Sequence, residues 1–177
     1  MKFKIVLAWV VMFVFTHSVS AQNVTDKLIV ALADKHLPKV LLQEKNRSWQ
    51  MGTYDLTVNK VAGVTFNNTE QYLSLSVPIE VLMVGKVNQT FLGQKIILNC
   101  TSTVLTEAKL QVTPVINPPN STASVDVLVP IPESNLHCDG LTLAIKPILE
   151  QLVANKKALW EDSLKQDIQI LFKQVGM

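Results

Sequence analysis

Histidine is scarce in this chain, with three among 177 residues, and cysteine scarcer, with two. The patterns GxSxG, HExxH, GxGxxG and the P-loop are missing. That removes the recognisable routes to acyl hydrolysis, zinc proteolysis and nucleotide chemistry. Neither cysteine belongs to a CxxC pair, so no zinc ribbon can be built. An excess of one charge is missing as well. Beyond Lys2 and Lys4 the chain carries 14 basic and 14 acidic residues. With no basic tract, nucleic acid is excluded as an expected partner. No apolar run after the first residues reaches the roughly 20 residues that a bilayer requires. There is no internal repeat and no low-complexity segment.

What the chain does have begins at its N-terminus. Lys2 and Lys4 precede an uncharged apolar run over residues 5–15, and Val19-Ser20-Ala21 supplies small residues for cleavage. Residues 1–21 therefore read as an export signal, and residues 22–177 as the mature chain, a length suited to one domain. No cysteine stands at the cleavage site to accept a bacterial lipid anchor. In an exported protein the isolated pair Cys100 and Cys138 is expected to form a disulfide, in preference to two free thiols or half a metal site.

Thr25-Asp26 is expected to open a short helix with Leu28, Ile29 and Leu32 on one face. Pro38 ends it, apolar character continues to Leu42, and residues 43–48 form a polar break. The period then becomes two. Tyr54, Leu56 and Val58 alternate with polar residues, and Leu73, Leu75, Val77, Ile79, Val81 and Met83 occupy every odd position of the clearest strand. Pro78 cannot donate to a ladder, which predicts an edge or a bulge. Gly85-Lys86 reads as a turn before a strand at residues 87–91. Further strands are expected at 96–101, 105–116 and 125–131, followed by a polar linker at 133–139. Ile145, Ile148, Leu149, Leu152 and Leu159, continued by Trp160, Leu164, Ile168 and Leu171, then make a slowly drifting helical stripe over residues 146–174. Pro147 suits the first turn.

The expected fold class is α+β: a curved antiparallel meander of about five or six strands packed against a long C-terminal amphipathic helix, with a short N-terminal helix. This order of elements over residues 54–172, with the segments Leu73-Ser-Leu-Ser-Val-Pro-Ile79 and Ile145-Lys-Pro-Ile-Leu-Glu-Gln-Leu152, resembles the TULIP-type lipid-binding fold. That fold includes the bactericidal/permeability-increasing protein group and the YceB-like bacterial periplasmic lipoproteins. The strand-to-helix cysteine pair is similar to the single disulfide of the animal members. The resemblance implies that a lipid or other apolar small molecule binds between helix and sheet, with transient membrane-surface contact. On this reading Leu73, Leu75, Val77, Ile79, Val81, Val125, Val127, Ile148 and Leu152 line the apolar space. The competing reading is a structural or protein-interaction domain with a closed core.

No catalytic or metal site and no cofactor is expected. His36 follows an amphipathic stretch. His137-Cys138-Asp139 lacks further ligands at useful spacing, and a disulfide at Cys138 would remove its thiolate. Asp162 and Asp167 suit a solvated helix face, and Trp49 and Trp160 suit a core. One count stands apart. Six N-x-S/T acceptor tripeptides occur, at Asn23, Asn46, Asn67, Asn88, Asn99 and Asn120. The composition alone would give roughly 1.5. They are N-glycosylation sites if the chain is eukaryotic and extracellular. The signal and the resemblance favour a bacterial periplasm instead, which is the expected compartment.

Overall fold

A computed structural model describes residues 19–49, 51–69, 71–91, 93–117 and 120–174. Most of the expected export signal lies outside these residues, and the expected cleavage after Ala21 falls within the first helix. That helix, α1 (Val19–His36), is followed by β1 (Val40–Trp49), β2 (Gly52–Lys60), β3 (Thr65–Asn68) and β4 (Leu73–Phe91). Then come β5 (Gln94–Val115), β6 (Thr122–Leu128), β7 (Asn135–Cys138), β8 (Leu141–Ala144) and α2 (Lys146–Gln174). The class is α+β, and the eight strands form one antiparallel sheet.

The sheet is built on two long central strands. β4 and β5 pair without interruption from Leu73↔Val112 to Phe91↔Gln94. Gly85-Lys86 is therefore not a turn. Gly85 lies within β4, opposite Tyr54 of β2 and Cys100 of β5. A Cβ there would sit 3.0 Å from the Thr53 carbonyl oxygen, so glycine serves close strand approach rather than chain reversal. The flanking strands divide β4 and β5 into two regions. β2 pairs with residues 79–87 of β4, and β3 with residues 73–76. On the far side, β7 pairs with β5 at Cys100 and Thr101, and β6 with residues 109–115.

Pro78 stands in a central strand, contrary to the expected edge or bulge. It falls where β2 ends and β3 has not begun. Its carbonyl accepts the Val61 N–H toward that gap, 3.1 Å. The side of the strand on which proline lacks a donor is the side with no ladder to complete.

The strand count exceeds the expected five or six although four expected strands merge into two, 73–83 with 87–91 in β4 and 96–101 with 105–116 in β5, because four further strands carry weak signals. β1 includes the polar run 43–48, bulges between Glu44 and Arg47, and holds Asn46 at φ 52. β3, β7 and β8 have four residues each, too few for a legible alternation. β7 and β8 make a hairpin of what reads as a linker, turning at Asp139 and Gly140, both at positive φ. At the N-terminus, α1 starts six residues before Thr25, so Thr25 is not its cap. The long helix covers residues 146–174 as expected, with Pro147 in its first turn.

Candidate functional site

Alternation assigns each strand an inner and an outer face. Odd residues of β4 share the inner face with even residues of β5 and with Tyr54, Leu56 and Val58 of β2. The main core forms there. Leu56, Ile79, Met83, Val87, Cys100, Leu136, Ile145 and Leu149 are buried together, with Ala33 of α1 among them. The disulfide Cys100–Cys138, S–S 2.09 Å, joins directly opposed residues of β5 and β7 within this core. Cys138 is thus a strand residue, not part of a helix approach.

A second, smaller core lies at the other end of α2. Ile168 and Phe172 are buried against Ala123, with Val112 and Val125 packed around them. Helix α2 is pinned at both ends by apolar contact. The positions between repeat at steps of four, through Lys156, Trp160 and Leu164, all half-buried. A four-residue step overshoots the 3.6-residue turn, so the covered stripe winds through about 140° from Leu149 to Phe172. Leu159 falls off it and is 70% exposed, contrary to its place in the expected stripe.

The predicted lining residues divide between these surroundings. Val77, Ile79 and Val81 are buried in the main core. Ile148 and Leu152 pack half-buried against it. Leu73, Leu75, Val125 and Val127 are also half-buried, on the stretch of sheet between the two cores. There Leu75 pairs with Leu110, and Leu110 with Val127. All three lie on the inner face, and none is sealed. Leu110, Val112 and Phe172, which are not among the expected lining residues, join them here. The even-position alternation of β5 carried the signal for the first two, and the four-residue step from Ile168 the signal for the third.

Polar groups flank the middle of the helix. Lys156 donates to the carboxylate of Glu44, an inner-face residue of β1 that also lies 3.7 Å from Arg47. Lys157 donates to Asp126 of β6 at 2.7 Å, and Glu161 accepts the Val127 N–H at 2.9 Å. The hydrogen bond from Lys157 holds the Asp126 carboxyl below its usual range, and the same bond raises Lys157. Trp49 and Tyr54 meet edge to face beside Glu44, ring centroids 6.1 Å apart. Partial burial, reinforced by the Glu44 carboxylate, pushes the Tyr54 hydroxyl up. The Trp49 Nε1 is buried without a hydrogen-bond partner among the described residues.

His36 and His137 are exposed, and His137 lies 3.5 Å from the Thr142 hydroxyl. Asp162 is exposed and Asp167 half-buried. Among the described residues no group of three or more His, Cys, Asp or Glu could hold a metal ion, and no helix is long and apolar enough to cross a membrane. Comparison of the chain with protein-family models and with curated proteins returned no match.

Proposed function

We propose that this chain is an exported, non-enzymatic carrier of a lipid or another apolar small molecule, held between α2 and the inner face of the sheet. One observation carries the reading. Leu73, Leu75, Leu110, Val125 and Val127 form a contiguous apolar strip on a covered face, yet all stay half-buried beneath a helix pinned at both ends. Apolar side chains on a covered face ordinarily close up, because each loses hydration free energy and contacts where packing is incomplete. An apolar guest would complete this one.

Curvature of the sheet supports the same reading. Glu44 aligns through Leu56 with Met83 of β4, and Asp126 through Gln111 with Ser74. In a flat sheet these carboxylates would stand about 35 Å apart, across four strand spacings and nine residues. Neighbouring lysines on one helix reach both. Their Cα atoms are only about 3.8 Å apart. That one stretch of helix reaches both β1 and β6 supports a sheet that curls toward it, as the TULIP-type reading expects. Exchange of such a ligand at a membrane surface fits the same proposal.

The test is uptake of a fluorescent fatty acid by delipidated protein, with filling substitutions on the strip. Leu75→Phe and Val127→Phe should reduce uptake at least several-fold while the fold persists by circular dichroism. Uptake indifferent to both, or no uptake at all, would leave a closed-core interaction domain as the reading.

A further inference from the structure

The strongest unabsorbed signal is the excess of N-x-S/T tripeptides, six where composition gives roughly 1.5. The side chains of five are described, those at Asn46, Asn67, Asn88, Asn99 and Asn120. All five asparagines are exposed, and so is every hydroxyl partner: Ser48, Thr69, Thr90, Thr101 and Thr122. No side-chain amide of the five is engaged in a hydrogen bond among the described residues.

Strand geometry makes this agreement demanding. Within a strand, residues i and i+2 point to the same face, so a tripeptide presents its amide and hydroxyl together, outward or inward. A one-residue shift would turn Asn88 and Asn99 into the core, where Val87 and Cys100 are fully buried. Instead Asn88 and Asn99 both face out. They are diagonal neighbours across β4 and β5, since Asn88 pairs with Ile97 and Lys86 with Asn99. Asn67 pairs with Ser74 on the same outer face. Asn46 sits at the β1 bulge in a left-handed conformation, and Asn120 in the turn into β6.

We propose that this chain is an N-glycoprotein bearing glycans at these five asparagines, and that those at Asn67, Asn88 and Asn99 shield the uncovered face of the sheet. The need for a shield is on that face. Val84, Ile97 and Leu105 are exposed there by 57%, 60% and 65%. Ile97 lies directly between the two glycan-bearing asparagines, and Val84 faces Thr101. Bare, such a surface invites association, whereas a branched polar sugar covers and solubilises it. In the transfer step the Asn Nδ2 loses one proton and bonds to the anomeric carbon of a lipid-diphosphate-linked oligosaccharide. The carbon–phosphate-oxygen bond breaks and the lipid diphosphate leaves, with no change of oxidation state. Five accepting tripeptides on one exported chain favour a eukaryotic secretory route, and so the extracellular alternative over the periplasm.

The inference is independent of the carrier reading and is tested separately. The full chain is purified from the cells that make it and digested with peptide-N-glycosidase in heavy-oxygen water, which converts each occupied asparagine to a labelled aspartate. Expected is a fall in intact mass, with label at Asn46, Asn67, Asn88, Asn99 and Asn120. An intact mass equal to the bare polypeptide, unchanged by digestion, overturns the proposal. In the second arm, light scattering compares intact and stripped protein. Stripping, or the combined change Asn67→Gln, Asn88→Gln and Asn99→Gln, should raise the scattering mass to that of a dimer or larger. Adding Val84→Thr and Leu105→Thr should restore the monomer. A stripped protein that stays monomeric overturns the shielding role. Fatty-acid uptake is expected to be equal before and after stripping, so loss of one proposal leaves the other standing.

Discussion

Along β4, the odd positions from Val77 onward and the two before it carry the same apolar pattern and meet different surroundings. Ile79, Val81, Met83 and Val87 are buried, while Leu73 and Leu75 stay half-buried. What differs is the cover. The 79–87 region packs with Ala33 of α1, Leu136 of β7 and the start of α2, and a disulfide crosses beneath it. The 73–76 region aligns through β5 with Asp126 of β6, which Lys157 of α2 pairs, and its neighbour Val112 packs on the far anchor, Phe172. One alternating strand thus serves two purposes. Its pattern says which residues face inward, and only the opposing elements decide whether they are sealed.

That contrast can be broken most forcefully at the far anchor. Phe172→Ala should cost about 3–5 kcal/mol, since it opens a cavity in the small cluster that holds the C-terminal half of α2. Denaturant midpoints would measure it. A cost under about 1 kcal/mol would mean that α2 is not pinned there, and the distinction between the two regions would fail. Removing the disulfide with Cys100→Ala and Cys138→Ala should cost about 3–4 kcal/mol, from the loop it closes in the unfolded chain. That loss should come with fatty-acid uptake retained in the folded fraction, because the bond belongs to the sealed region.

A matched pair sharpens the contrast. Leu56→Ala in the sealed region should cost about 2–5 kcal/mol. Leu75→Ala in the other should cost less than half as much without ligand, and comparably more once ligand is bound. Thermal unfolding with and without fatty acid would report both values.

The smallest effect is electrostatic. Asp126 titrates below its usual range because the Lys157 ammonium hydrogen-bonds it. A depressed carboxylate contributes stability above its unfolded pKa and loses it as pH falls through the folded one. Wild-type protein should therefore lose stability below about pH 4 more steeply than Asp126→Asn, and salt should shrink the difference, as these groups are mostly exposed. Parallel acid titrations of both proteins would reveal it.

The long helix, the face assignment of β4 and the pairing of the cysteines were legible in the sequence, because each rests on period or on an isolated pair of residues. The bounds 146–174 follow from an apolar stripe nearly eight turns long. β1 was not legible. Its inner face carries Glu44, a charge that makes sense only beside Lys156, 112 positions away. Gly85 read as a turn because glycine serves both chain reversal and close approach, and only the Thr53 carbonyl across the ladder tells which. The divided fate of the lining residues was equally hidden. Val77 and Leu75 differ in no local property that sets their burial.

The bond from the Val127 N–H to Glu161 also bears on how chains associate. Among the described residues β6 pairs only with β5, which leaves its other side as a sheet edge. Along it the helix supplies an acceptor to Val127 and an ammonium to Asp126. An uncovered edge is a template for strand addition by another chain. Each time α2 lifts away, the Thr122–Leu128 strand is offered as such a template, with Asp126 as its only charge. Contacts that hold the helix down therefore also guard this edge, and Glu161→Ala should hasten aggregation before it measurably lowers the melting temperature.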